Sequence, residues 1–170
     1  MSRFGYFMLT YLVALCLGII SLFHHTPRLM WNASASTPVG LYTLHPARRL
    51  RVGDLIADRP PPALARFMAV RRYLPLDVPL LKYVGALAGQ TVCRQGLFVS
   101  VDGVHVATAL RRDHARRPLP TWQGCQTLKS GEIFLLNKAV PDSFDGRYFG
   151  VLPLGTVTAR ATPLWTERAP

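Results

Sequence analysis

The 170-residue chain is poor in acid, lysine and cysteine. Nine Asp and Glu stand against 20 Lys and Arg, of which only three are Lys, and the net charge is +11. Such a balance suits nucleic acid or an anionic membrane surface. No zinc-ligand spacing, basic recognition helix or aromatic RNA-binding motif accompanies the charge, so nucleic acid is not the expected partner and a lipid bilayer is. With 49% hydrophobic and only 17% charged residues, the chain is too apolar to be disordered and has enough for a core. No internal repeat and no second globular domain are visible. The Gly-x-Ser-x-Gly elbow of the α/β hydrolases is missing too.

Charge is absent altogether from Phe4 to Phe23, where Thr10 and Ser21 are the only aliphatic hydroxyls. Twenty helical residues span roughly 30 Å, the thickness of a bilayer core. Phe4, Tyr6 and Phe7 bracket one end, Phe23 and Trp31 the other, in the manner of interfacial belts. We expect residues 1–28 to be a cytoplasmic tail, an uncleaved anchor and a juxtamembrane link. Residues 29–170 are then an exported domain. Ala33-Ser34-Ala35 has the form of a signal-peptide cleavage site, but it lies beyond His24, His25, Pro27 and Arg28, too far from the apolar run.

Of three cysteines, Cys16 falls in the apolar run, where it fills space. Cys93 and Cys125 remain, and in an oxidising compartment they read as one disulfide, worth about 3–4 kcal/mol by loop-entropy arguments. Two unpaired thiols are the alternative that sequence leaves open.

The exported part reads as short strands and turns. Strands are expected at Val39–Leu44 (stopped by Pro46), Leu55–Ala57, Thr91–Cys93, Leu97–Val101, Val104–Thr108 and Glu132–Asn137, with a last strand pair in Val151–Ala161. Asp102-Gly103 between two apolar runs signals a hairpin. Pro60, Pro61 and Pro62 argue against regular structure. Ala63–Tyr73 has apolar residues near 3.6 spacing, so a helix is expected there, and its mixed basic and apolar residues suit a membrane surface. Arg111–Pro120 and Asp142–Gly150 read as loops.

Three segments carry chemical groups. The first is Asn32-Ala-Ser34-Ala-Ser36-Thr-Pro38-Val-Gly40-Leu-Tyr42. In an extended segment Ser34 and Ser36 share a face, so one serves as nucleophile while the other donates to the oxyanion. A Ser/Pro/Gly turn after an anchor is the plainer reading. The second is Lys82, set between Leu80-Leu81 and Tyr83-Val84, whereas Lys129 and Lys138 have polar surroundings. Burial lowers a lysine pKa, and a neutral amine can take a serine proton. A strand lysine whose head reaches water is the commoner case. The third is Ser143-Phe-Asp145-Gly-Arg147-Tyr-Phe-Gly150, either a plain turn or a loop that orients the amine. His105 with Asp102 is a weaker base candidate beside a hairpin turn.

The order anchor, Ser-x-Ser-x-Pro, apolar Lys segment, Ser-x-Asp-x-Arg resembles the S26 family of Ser-Lys signal peptidases. With one residue between Ser36 and Pro38, it looks most like the conjugative-transfer branch, the TraF-type pilin-processing peptidases. The pairing of Cys93 with Cys125 is similar to that branch. The resemblance runs from Ser34 to about Leu154. It implies a mainly β, antiparallel signal-peptidase-like catalytic domain preceded by one transmembrane helix, held at the periplasmic face of a bacterial inner membrane. By position, Ser36 matches the nucleophile, Lys82 the base, and Asp145 the acid that the branch counts as catalytic. Ser34 with the Ser36 N–H matches the oxyanion hole, and Ser143, Arg147, Pro38 and Gly40 match supporting positions. No metal or organic cofactor is implied. The implied partner is a membrane-bound pro-protein such as a pilin precursor, with simple cleavage and cyclising transpeptidation as the two outcomes left open. Ala86, Ala88-Gly89-Gln90 and Gly146 depart from the usual pattern without removing a proton-transferring group. A general type I signal peptidase is the alternative enzyme, and a membrane-tethered subunit of a transfer or secretion apparatus the non-enzymatic one.

Overall fold

The computed structural model describes residues 2–22 and 28–167, with side chains of 2–19 and 28–167. The apolar run forms α1 (Arg3–Leu22). Among the described residues, no helix is long and apolar enough to cross a membrane. The expected span to Phe23 continues outside the described residues, as do His24, His25 and Pro27.

In chain order there follow β1 (Leu29–Asn32), β2 (Gly40–His45), β3 (Leu55–Asp58), α2 (Pro62–Val70), β4 (Leu80–Leu87), β5 (Thr91–Gln95), β6 (Phe98–Val101), β7 (Val104–Thr108), β8 (Gly124–Thr127), β9 (Glu132–Leu135), α3 (Gly146–Phe149), β10 (Val151–Pro153) and β11 (Val157–Thr166). They make a seven-stranded sheet, β1-β2-β11-β3-β4-β9-β10, and a four-stranded sheet, β7-β6-β5-β8. All the pairings are antiparallel, so the expected mainly antiparallel β architecture is what forms.

Strand β9 shows why the sequence folds this way. Ile133 and Leu135 join Ile56, Val84 and Leu152 in one cluster. Phe134, with Leu136 just beyond the strand, joins Val92 and Val99 of the second sheet and Leu128 just past β8. Buried on both faces, the strand is apolar throughout instead of alternating. Asp102 and Gly103 both have positive φ (49° and 80°), as the two-residue turn between β6 and β7 requires. Cys93 lies opposite Cys125 in the β5–β8 register, and their sulfurs are bonded.

Several expectations need correction. Pro62 opens α2 instead of excluding structure, because the first helical position needs no N–H. The helix stops at Val70, short of Tyr73, since Arg72 turns to φ 58°. Met68 of α2 is buried and Phe67 stacks on Phe144, so protein already covers part of its apolar side. The expected loop 142–150 contains α3, whose N-terminus is capped by the Asp145 side chain. β10 and β11 do not pair with each other: β10 joins β9, and β11 joins β2 and β3. β1, β4 and β8 lie outside the strands expected from sequence.

Gly146 packs where a Cβ would fall 2.5 Å from the Phe134 ring and 2.6 Å from the Leu135 carbonyl. A side chain larger than glycine therefore has no room here. Gly146→Ala is expected to lose about 1–3 kcal/mol of stability through overpacking, read as a lower melting temperature of the full chain in detergent. An unchanged melting temperature would contradict this packing.

Asp58 is fully buried in β3, and its Oδ2 has no hydrogen-bond partner among the described residues. The Thr156 hydroxyl lies 2.5 Å from Asp58 Oδ1 and 2.7 Å from the Pro153 carbonyl, one proton for two acceptors. Desolvation favours the neutral carboxyl here, while donation from the Thr156 hydroxyl favours the ionised one. Burial pushes the Asp58 pKa from 3.8 to about 6, against the Thr156 hydrogen bond. The folded pKa is raised, so stability from this group is full below pH 3.8 and lost as pH rises through about 6. The loss is about 3 kcal/mol, roughly 6–12 °C in melting temperature. Melting curves from pH 4 to 8 should show this fall in the wild type and not in Asp58→Asn; parallel pH dependences would refute the neutral carboxyl.

Candidate active site

The β1–β2 connection carries Ser34 and Ser36. It is a turn and not an extended strand, and the turn itself brings the two hydroxyls within 3.0 Å of each other. Buried Asn32 organises it: its Nδ2 lies within 2.9–3.1 Å of the Ser34, Thr37 and Pro38 carbonyls and the Thr37 hydroxyl, while its Oδ1 accepts from the Ser34 N–H. The Tyr42 hydroxyl donates to the Pro38 carbonyl at 2.6 Å. Gly40 closes the turn against β11, where a Cβ would fall 2.2 Å from the Trp165 carbonyl oxygen. Pro38 and Gly40 thus support the turn's shape.

Lys82 stands in the middle of β4, flanked by β3 and β9, and only 2% of it is exposed. Its Nζ lies 2.9 Å from Ser36 Oγ and 2.7 Å from Ser143 Oγ. Burial lowers its pKa from 10.5 to about 8; Asp145 and Asp142 oppose the fall and Arg147 assists it. A neutral amine has one lone pair and two N–H groups. The arrangement lets the lone pair face the Ser36 proton while an N–H donates to Ser143.

The loop after β9 supplies Ser143. Arg147, 1% exposed, donates to the Pro141, Val140 and Ser143 carbonyls at 2.7, 2.7 and 3.2 Å. It also grips Asp145 at 2.9 Å through both Nε and Nη2. Asp145 accepts further from the Asn137 and Arg147 N–H groups. Among these bonds none reaches Lys82 or Ser36, so Asp145 acts on the site through the loop and its charge. Phe144 anchors the same loop, its ring 4.9–5.7 Å from those of Tyr73, Tyr148, Phe67 and Phe149.

Sequence reasoning missed Asn32 and Asn137. Asn137, 1% exposed, lies two residues past the end of β9; its Nδ2 donates to the Ser36 carbonyl, and its Oδ1 accepts from the Tyr83 N–H at 3.1 Å. A polar residue ending an apolar strand was its only signal. His105 and Asp102 take no part: His105 meets Thr108, and Asp102 accepts from Thr91 and Gln90. Lys129 and Lys138 are exposed, as expected. Among the described residues no group of His, Cys, Asp and Glu is placed to hold a metal.

Ser34, Ser36, Lys82 and Ser143 line a cleft of about 980 Å³. Ala33, Ala35, Leu80 and Val140 line it beside them, and the 71–79 and 112–119 segments line it farther out. A serine against a buried amine, with small residues around it, can perform acyl transfer on an extended peptide.

The family model described as "Signal peptidase, peptidase S26" matches residues 1–165. The chain is 34% identical over 146 residues to the "Probable conjugal transfer protein TraF" of Sinorhizobium fredii, covering 79% of this chain and 76% of that protein. It is 30% identical over 145 residues to a "Plasmid transfer protein TraF" of Escherichia coli, covering 79% and 81%. A crystal structure of a signal peptidase I from Enterococcus faecalis V583 is similar at 19% identity and a TM-score of 0.41, over 68% of this chain and 98% of that one.

Proposed function

The chain belongs to the S26 signal peptidase family, and from that premise we propose that it is a membrane-anchored serine endopeptidase with a Ser36–Lys82 dyad. The observation that carries this reading is the 2.9 Å approach of a buried Lys82 amine to Ser36 Oγ. Lys82 takes the Ser36 proton as Oγ attacks the carbonyl after a small residue, forming a tetrahedral oxyanion. The Ser36 N–H and the Ser34 hydroxyl, 3.4 Å apart at the nucleophile, turn to that oxygen. The amine then protonates the leaving nitrogen, leaving an acyl-enzyme, and next activates a water that hydrolyses the ester. Ser143 orients the amine, and Asp145 and Arg147 position the loop that carries Ser143. No metal or organic cofactor enters these steps.

Similarity to conjugal transfer proteins supports a pilin-like membrane-bound precursor as substrate, with an amine in place of water giving a cyclised product. The uncharged run Phe4–Phe23 supports a single-pass inner-membrane anchor with residues 29–170 in the periplasm, where the Cys93–Cys125 bond is stable. The substrate's cleavage site emerges at the same surface.

Co-expression of a membrane-bound pilin precursor with wild type, Ser36→Ala and Lys82→Ala tests the dyad. Both variants, at normal protein levels, should lose detectable processing; processing by Lys82→Ala at the wild-type rate would sink the mechanism. The pH profile is a second test. The active amine is neutral, so with a pKa of about 8 the rate should fall about tenfold per pH unit below that point and level off above it. A rate independent of pH from 6 to 9 would rule out Lys82 as the base.

A further inference from the structure

We infer that Asn137 is a positioning residue for Ser36, holding the nucleophile against the strand that carries the base; this rests on the dyad reading above. The Asn137 side chain bridges two elements far apart in sequence. Its Nδ2 donates to the carbonyl of Ser36 itself, and its Oδ1 accepts from the N–H of Tyr83, the residue after Lys82 in β4. Its own N–H donates to Asp145 Oδ2 at 3.0 Å, and its carbonyl receives Arg147 Nη2 at 3.4 Å. One buried amide therefore connects the serine turn, the lysine strand and the loop that presents Ser143.

The other ties of the serine turn run elsewhere. Asn32 holds the Ser34, Thr37 and Pro38 carbonyls and the Thr37 hydroxyl, and Tyr42 holds Pro38. These shape the turn but do not connect it to β4. Among the described residues, two hydrogen bonds tie Ser36 to groups beyond its own turn, from Lys82 Nζ to Oγ and from Asn137 Nδ2 to the carbonyl. The Lys82 contact changes in character during the reaction, because the amine takes the Oγ proton in the first step. Once Oγ is acylated its proton is gone, and the amine must turn to water. The Asn137 bond involves no reacting atom and remains in the acyl-enzyme. It keeps the ester carbonyl in register with the amine for the second step, so both steps depend on it.

The test uses the full chain in detergent with a membrane-bound pilin precursor, measuring kcat, KM, pH profile and melting temperature. Asn137→Ala removes both side-chain bonds. It should lower kcat about 100-fold, the effect of a roughly 1 Å misplacement, with KM within twofold and the pH midpoint still near 8, because the burial and charges that set it are untouched. Asn137→Asp keeps the acceptor for Tyr83 and loses the donor to Ser36. It should lower kcat comparably, and its carboxylate should move the pH midpoint upward by favouring the Lys82 ammonium. Leu152→Ala, a core change away from the cleft, supplies a destabilised control with kcat near that of wild type. A kcat within threefold of wild type in Asn137→Ala or Asn137→Asp would overturn the role, as would a loss no larger than in Leu152→Ala. Ser36→Ala separates the failures: residual cleavage there overturns the dyad and Asn137's role with it, whereas an inactive Ser36→Ala beside an active Asn137→Ala overturns the role of Asn137 alone.

Discussion

The structure is built around an amine that the fold buries almost completely. Moving the Lys82 pKa from 10.5 to about 8 corresponds to about 3 kcal/mol against the charged form. A lowered folded pKa means this penalty is full below about pH 8 and relieved only as pH climbs toward 10.5. At neutral pH the fold therefore carries it in full. Exposure would remove it, and with it the population of neutral amine. The sheet order answers this demand: β4 lies between β3 and β9, inside the seven-stranded sheet. Among the described residues, the hydrogen-bond partners of the amine are hydroxyls, of Ser36 on one side and Ser143 on the other. Hydroxyls satisfy the nitrogen without fixing its charge, as a directly bonded carboxylate would.

Much of this was legible in the sequence, and the parts that were not share a cause. Lys82 stood out because four apolar residues flank it, a local pattern that survives folding. β2, β3, β5, β6, β7 and β9 were readable by the same kind of evidence, apolar runs closed by Gly, Pro or Asp-Gly. β8 is exposed at all four positions, so it carries no hydrophobic signature; its place is set by pairing with β5 and by the disulfide. The partners of β10 and β11 are set by long-range pairing that no local window contains. α3, at four residues, is too short to show a helical period, and only its Asp145 cap was visible as a residue type.

The site divides the same way. Ser34, Ser36, Lys82, Ser143, Asp145 and Arg147 are residue types that can carry chemistry. For the serine stretch and the lysine segment, however, the plainer reading is favoured locally, and it is the resemblance to the S26 peptidases that joins them into one site. The asparagines were invisible because they act on backbone groups. The bond from Asn137 to Ser36 joins residues 101 apart, and an amide that grips a carbonyl needs no companion motif. The proximity of Ser34 and Ser36 was anticipated for the wrong geometric reason: strand alternation suggested a shared face, and a turn held by Asn32 provides it.

On the proposed dyad reading the site needs a neutral amine, yet Asp145 stands nearby and is the largest influence raising the Lys82 pKa again. Arg147 supplies the answer. It holds Asp145 through two side-chain contacts at 2.9 Å in a place where both are essentially unexposed, and its own charge acts on Lys82 in the opposite sense. Seen from the amine, the two form a nearly neutral dipole. The pair can then be used for geometry, with Asp145 capping α3 and fixing Asn137, and Arg147 drawing in the carbonyls of Val140, Pro141 and Ser143. A carboxylate alone would organise the loop and return the proton to the lysine; a guanidinium alone would be an uncompensated buried charge. Together they fix the loop that orients the amine while leaving the amine's proton to be decided mainly by burial.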